Sequence, residues 1–278
     1  MSIPYHMFDI GLEARKASIL EGVYHKGQRR AWDGRKLLPE LLAKHGGVSL
    51  PPEKAAALKR IFTLILWGEL AAWKISSQLA AEITPLQAKM AATSQAHDEA
   101  RHFYTMYDYL TLLGHDPQPL TGPGHKLLTS VSGTSSLVKK LLGMQLMIEP
   151  VAITLFRQVH ESGVEPVLCD LLSYYERDEA RHIALGVNYL PSLMAEMSYA
   201  ELATLWYWQL RLLFLQVDEL RQMKDDLETL GLDPEIMFDA AEKRQVDVLQ
   251  ETLENIGGPI PYMVEPFRWA VRKYKMAF

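Results

Sequence analysis

Apolar positions recur every three to four residues along most of this chain, the signature of amphipathic helices, and they almost nowhere alternate as strands require. The pattern predicts helices at about 8–22, 28–45, 52–80, 85–113, 134–162, 165–190, 198–229, 235–255 and a short one near 264–276. Breakers separate them: Gly46-Gly47, Pro51-Pro52, Thr84-Pro85, a Gly/Pro-rich connection over 114–133, Ser162-Gly163, Leu190-Pro191, Asp233-Pro234 and GGPIP at 257–261. Thr84 before Pro85 predicts a hydroxyl-capped helix start. No shift of composition divides the chain, so one all-α domain is expected over 1–278. Two helical hairpins, at about 52–113 and 134–190, predict a four-helix core, with extra helices over 198–276 outside it.

Two of these helices carry the same motif. HDEARHFYTMYDYL at 97–110 returns as RDEARHIALGVNYL at 177–190, an offset of 80 residues. Glu69 lies thirty residues before Glu99, and Glu149 thirty before Glu179, so Glu-x29-Glu-x2-His occurs twice. The midpoints fall at residues 84 and 164, each at or beside a break. Each glutamate is therefore roughly 22 Å of helix from its turn, which sets the two glutamates of a hairpin at one height. Glu and His at i, i+3 share a face. The expectation is that Glu69, Glu99, His102, Glu149, Glu179 and His182 meet at one level of the bundle.

Glu69 interrupts an apolar stripe of Phe62, Ile65, Leu66, Ala72 and Trp73, and Glu149 interrupts one of Leu142, Leu146, Ala152, Ile153 and Phe156. Carboxylates gathered in a core repel one another unless they are protonated or neutralised by cations. Two divalent metals would neutralise them, and a carboxylate-rich set with one imidazole per ion suits iron or manganese rather than structural zinc. The competing reading is a pair of salt-bridged surface helices.

In these residues the chain resembles the ferritin-like di-iron carboxylate proteins, whose ligands are a Glu from each of two helices and a Glu-x-x-His pair from each of two others. The resemblance implies a ferritin-like four-helix bundle with flanking helices, covering about 52–190. It implies metal ligation by Glu69, Glu99, His102, Glu149, Glu179 and His182. It points to Glu99 and Glu149 as bridging or shifting carboxylates and leaves open which one bridges. It also implies that Asp98 and Asp178, partnered by Arg101 and Arg181, accept hydrogen bonds from the ligand imidazoles across the bundle. DEARHIALG is most similar to the oxygenase branch, such as the hydroxylase subunits of bacterial multicomponent monooxygenases, and also to ribonucleotide reductase small subunits and acyl-carrier-protein desaturases.

Other residues have two readings each. Tyr175, one turn before Glu179, is a redox-active tyrosine or proton donor, or else a core tyrosine with a satisfied hydroxyl. Gln95, one turn before Glu99, hydrogen-bonds a bound ligand or is a structural amide. Ala72, Ala152 and Gly186 leave room for dioxygen and substrate, or allow close helix packing. Pro150 removes a backbone hydrogen bond directly after Glu149 and would distort the helix there. The remaining histidines have no partner at ligand spacing, Cys169 reads as a small buried residue, and Lys224-Asp225-Asp226 as a solvated face.

Composition narrows the function. With 278 residues, 48% hydrophobic and 23% charged, the chain can bury a sizeable core. A net charge of −5 without a basic block argues against nucleic acid as partner. The single cysteine allows no internal disulfide and suits a reducing cytoplasm, where the chain is expected. The N-terminus does not read as a signal peptide, and no apolar run is long enough to span a membrane. Trp206, Trp208, Leu212 and Phe214 would bury in a homodimer.

The expected function is an oxidoreductase, oxygenase or oxidase, that uses O2 and two iron ions, with manganese accepted at either position, on a small organic substrate. Electrons would come from an external reductase or ferredoxin, because no GxGxxG follows a strand. The alternatives are iron oxidation and storage, a radical-generating subunit like that of ribonucleotide reductase, and a helical module whose metals only hold the bundle together.

Overall fold

The computed structural model describes residues 18–236 and, beyond them, 238–240, 242, 243, 246, 247, 250 and 269. The expected helix over 8–22 lies outside the described residues up to residue 17. So do much of 235–255 and all of 264–276 except Trp269. Among the described residues there is no strand. The helices are α1 (Ser18–Arg30), α2 (Gly34–His45), α3 (Pro52–Glu82), α4 (Leu86–Leu112), α5 (Gly122–Ser132) and α6 (Leu137–Leu141). A π-helical segment, Leu142–Ile148, then leads into α7 (Glu149–Ser162), followed by α8 (Pro166–Met194), α9 (Tyr199–Gln222) and α10 (Lys224–Thr229). No described helix is long and apolar enough to cross a membrane.

The hairpins α3/α4 and α7/α8 form the four-helix core, with α4 packed against α8. Helix α1 lies across α4 and α8, and α9 covers α5 and the π segment. The apolar core is split in two. One half holds Leu58, Phe62 and Leu66 of α3, Met106 of α4, Phe156 of α7 and Leu172 of α8. The other holds Ile75 and Leu79 of α3, Ala91 of α4, Leu146 of the π segment and Ile183 of α8. On α3, α4 and α8 the residues between the halves include Glu69, Glu99 and Glu179, so one buried polar layer crosses the bundle near mid-height.

Several predicted boundaries shift. The 114–133 connection contains α5, because Pro123 fits the first helical turn and Leu127, Leu128 and Val131 form a buried stripe. Helix α4 begins after Pro85, which is extended (φ −60°, ψ 127°), and Thr84 makes no side-chain cap. Pro191 does not end α8. The helix runs on to Met194, since the burial of Tyr189, Leu190 and Met194 offsets the lost backbone bond. Gly27 does not interrupt α1; a Cβ there would meet the Ser94 hydroxyl at 2.2 Å, so it allows α1 to approach α4. The charge run at 224–226 is not wholly solvated, because Asp226 takes a bidentate pair from Arg60 of α3.

The turn of the second hairpin rests on a buried acid. Gly163 closes α7 in the left-handed region (φ 63°). Glu165, fully buried, then accepts the N–H groups of Val167 and Leu168 at 3.2 and 2.7 Å and the Tyr109 hydroxyl at 2.8 Å. Glu165→Ala removes a helix cap and orphans a buried phenol. It is expected to cost about 3 kcal/mol in denaturant unfolding, and a loss below about 1 kcal/mol would mean that water takes over these donors.

Candidate metal centre

Four helices deliver the layer. Glu69 comes from α3, and α4 supplies Gln95, Asp98, Glu99, Arg101 and His102. Glu149 opens α7, and α8 supplies Tyr175, Asp178, Glu179, Arg181 and His182. All are buried. Ligand-type atoms of Glu69, Glu99, His102 and Glu179 lie within 4.8 Å of one another, as do those of Glu99, Glu149, Glu179 and His182. The six residues singled out by spacing therefore come together. The structure places Glu99 and Glu179 in both groups and Glu149 in one.

The local geometry fits two small divalent ions. Donor atoms about 2.1 Å from such an ion and at right angles about it stand ~3 Å apart. His182 Nδ1 is 3.0 Å from Glu99 Oε1 and 3.0 Å from Glu179 Oε2. His102 Nδ1 is 3.2 Å from Glu179 Oε1, 3.4 Å from Glu69 Oε2 and 3.5 Å from Glu99 Oε2. Glu99 Oε2, Glu149 Oε2 and His102 Nδ1 are buried without a hydrogen-bond partner. Orphaned acceptors this deep are costly unless a cation takes them.

The far side of each imidazole is fixed. His102 Nε2 faces Asp178 Oδ2 at 3.3 Å, and His182 Nε2 faces Asp98 Oδ2 at 3.4 Å, so each α4 or α8 histidine is served by the aspartate of the other helix. This directs each Nδ1 lone pair at the carboxylates. Arg101 bonds Asp98 at 2.5 Å and Asp178 at 2.8 Å, while Arg181 bonds Asp98 at 2.8 Å and forms an ion pair with Asp178 at 2.8 Å. The four groups form a closed, buried lattice instead of a solvent-exposed local pair.

Charge and burial compete within the layer. Burial pushes the Glu69 and Glu149 carboxyls well above the usual range. Burial also acts on Glu99, but His182 and His102 outweigh it and hold that carboxyl below the usual range. Burial would lower both imidazoles, yet His102 is raised through Asp178 and Glu179, and His182 through Glu99 and Glu179.

Gln95 Nε2 donates to Glu149 Oε1 at 2.6 Å and to Glu99 Oε1 at 3.2 Å. The Tyr175 ring stacks on His102 at 4.2 Å, and its hydroxyl donates to the His102 carbonyl at 2.6 Å. Directly before Glu149, the Leu142–Ile148 segment is π-helical, and the Glu149 N–H reaches back to the Met144 carbonyl. Pro150 has no N–H to restore the α pattern, so the distortion it predicts takes this form. The π segment places Gln145 in the core, where its amide donates to Gln95 Oε1 at 3.2 Å. Gly186 lies against this segment, where a Cβ would come within 2.8 Å of Gln145 and Leu146; it serves close packing.

One residue was missed from sequence. Trp32, in the short α1–α2 turn, donates its indole N–H to Asp178 Oδ2 at 2.7 Å and lies under the Arg101 guanidinium at 4.6 Å. An isolated tryptophan between helices gives no periodic signal. Of the two readings of Ala72 and Ala152, room near the cluster is the one that fits: a cavity of about 130 Å3 lies there, with Glu69, Glu99, Glu149, Glu179, Ala72 and Ala152 in its lining. Its remaining walls are mostly apolar and come from α3, α5, the π segment, α7 and α9.

No family model matches the chain, and no curated protein matches its sequence. Solved structures do match in fold. A Synechococcus protein with aldehyde deformylating oxidase activity aligns with TM-score 0.62 at 17% identity, over 82% of this chain and 98% of that one. An R2-like ligand-binding oxidase with an aerobically reconstituted Mn/Fe cofactor aligns with TM-score 0.60 at 16% identity, over 84% and 92%. The dimanganese(II)-NrdF of Streptococcus sanguinis aligns with TM-score 0.62 at 12% identity, over 89% and 95%. The all-α, ferritin-like fold is common to them and this chain.

Proposed function

We propose that this chain is an O2-dependent oxidoreductase acting on a small, largely apolar organic molecule. Its two ions, iron or manganese, would be held by Glu69, Glu99, His102, Glu149, Glu179 and His182. The observation that carries this reading is that four carboxylates of the cluster form the floor of an apolar cavity. The fold is also that of two proteins described as oxidases, and two of the three solved structures are described as carrying manganese. When bound, the metal pair supplies the redox chemistry that couples dioxygen to a C–H or N–H bond.

The chain's own residues do the positioning. Asp98 and Asp178 hold the imidazole Nε2–H groups, and Arg101 and Arg181 hold the aspartates. Gln95 fixes one oxygen of Glu149 and leaves the other free to turn toward an ion. Tyr175 orients His102 by stacking, and its hydroxyl is committed to a backbone carbonyl, which favours positioning over proton donation. The apolar walls keep bulk water from the floor, where each electrostatic interaction is then stronger. An external electron donor has a connected approach in Trp32, half-buried and hydrogen-bonded through Asp178 to His102. The cavity favours substrate oxidation over iron storage, which needs no apolar chamber beside its ligands.

The test is anaerobic loading of the full chain with ferrous iron, then mixing with oxygen and an artificial reductant. The expected result is two irons per chain and oxygen uptake that continues beyond the iron present. Uptake that stops once the iron is oxidised, with more iron accumulating, would favour iron handling. A chain that takes up no metal would sink the proposal.

A further inference from the structure

The cavity has charge at two places, and both are acidic. Its floor is Glu69, Glu99, Glu149 and Glu179, and Glu219 of α9 joins the lining from the covering helix. Among the described residues no lysine, arginine or histidine lines it. Between floor and cover the wall is apolar except for Gln216 of α9, with Leu127 and Leu128 of α5, Met144 and Ile148 of the π segment, Leu155 of α7 and Leu220 of α9. A dry apolar cavity of ~150 Å3 accepts a benzene-sized molecule. The space here, about 130 Å3, therefore suits a ring or a short alkyl run at its inner end.

Glu219 is held but not neutralised. Its Oε2 accepts the Gly124 N–H at 2.7 Å, in the first turn of α5. A Cβ at Gly124 would stand 3.0 Å from the Glu219 carboxyl carbon and 2.8 Å from Leu64 Cδ1, so glycine there is what lets the carboxylate lie against the helix start. No other hydrogen-bond donor and no cation among the described residues pairs with Glu219, leaving Oε1 free. Burial pushes its carboxyl above the usual range, and the Gly124 N–H opposes this only in part. Once two ions neutralise the floor, Glu219 is the uncompensated charge of the chamber.

We propose that Glu219 is a specificity-determining residue that binds the ammonium group of the substrate, which is therefore an apolar amine entering with its hydrocarbon end toward the carboxylate floor. An ammonium offers Oε1 both a donor and an opposite charge in a partly dry site. A carboxylic acid entering in the same orientation would bring a second anion against Glu219, where no lysine, arginine or histidine among the described lining residues could receive it, so this end of the chamber selects against fatty acids. The inference rests on the proposed function in taking the floor as the reacting end.

The test is calorimetric titration of the metal-loaded full chain with straight-chain primary amines, the matching alcohols and the matching carboxylates, from butyl to dodecyl. At the length that binds most tightly, the amine is expected to bind about tenfold more tightly than the alcohol, with the carboxylate weakest. Glu219→Gln keeps an acceptor for Gly124. It is expected to bring amine and alcohol to equal affinity while leaving the alcohol's unchanged. Equal binding of the three head groups, preference for the carboxylate, binding of none, or an amine preference that survives Glu219→Gln would overturn the proposal. The ranking on the unaltered chain decides the matter even where the variant does not fold. Metal content is read separately. Two irons with no amine preference defeats this inference alone, whereas a Glu219-dependent preference in a chain that holds no metal defeats the oxidoreductase reading and leaves the amine site standing.

Discussion

Glu99→Ala is expected to empty both metal positions at once, whereas Glu69→Ala or Glu149→Ala empties one. Glu99 and Glu179 each offer an oxygen to both groups of ligand atoms, while Glu69 and Glu149 serve one group each. Altering even an outer partner of a ligand typically costs 10–100-fold in affinity, and losing a charged ligand outright costs more. After anaerobic loading and desalting, metal analysis should therefore give two ions in the unaltered chain, none in Glu99→Ala or Glu179→Ala, and one in Glu69→Ala or Glu149→Ala. Stability should follow occupancy. An ion present at about a thousand times its Kd stabilises by ~4 kcal/mol, so loading should raise the Tm of the unaltered chain by on the order of 10 °C and leave that of Glu99→Ala unmoved. Without metal the order reverses: Glu149→Leu should be at least as stable as the unaltered chain, because burial disfavours charge at Glu149 and leaves its Oε2 unpartnered. Equal metal content in the Glu69 and Glu99 variants would show that the two groups are not separate binding positions.

The ligand cluster was legible because it depends on two quantities that a sequence carries. One is the helical rise and the other is the position of a turn. Equal distances from Glu69 and Glu99 to one break, and from Glu149 and Glu179 to another, put four carboxylates at one height whatever the packing details. The aspartate–arginine lattice was anticipated through the family resemblance instead, carried by the repeat of Asp98 and Arg101 as Asp178 and Arg181. What escaped reading depends on contacts between segments with no shared period. Trp32 reaches Asp178 from a short turn, and its role follows from where α1 lies across α4 and α8. Helix α5 was hidden by Gly122, Pro123 and Gly124, which read as a loop until the buried Leu127, Leu128 and Val131 show why a helix starts there. The π segment was visible only as Pro150, because a missing N–H says that the ladder fails and not which register replaces it. Glu219 was invisible, and only the small residues Ala72 and Ala152 pointed to the cavity, since a void belongs to seven elements at once.

The second large effect concerns the lattice behind the ligands. Arg101 is buried, and its guanidinium is shared between Asp98 at 2.5 Å and Asp178 at 2.8 Å while it covers the Trp32 ring. Arg101→Met keeps most of the volume and removes the charge. Both aspartates would then depend on Arg181 and on the imidazoles they orient, with the Trp32 N–H in addition at Asp178. Breaking one side of a buried ion pair costs about 3–5 kcal/mol, because the partner's charge stays behind in the low-dielectric interior. The expected result is a fall in Tm on the order of 10 °C in the metal-free chain. Part of that loss should be recovered in Arg101→Met with Asp98→Asn, since the second change removes one of the stranded charges. If the lattice also orients the ligands, iron affinity should fall about 10–100-fold in Arg101→Met, and the double variant should not restore it, because Asp98→Asn then takes away the charged acceptor of His182. Recovery of affinity along with stability would mean that the lattice only neutralises charge. Stability that recovers while affinity stays low would separate the two roles and assign Asp98 to holding the His182 ring.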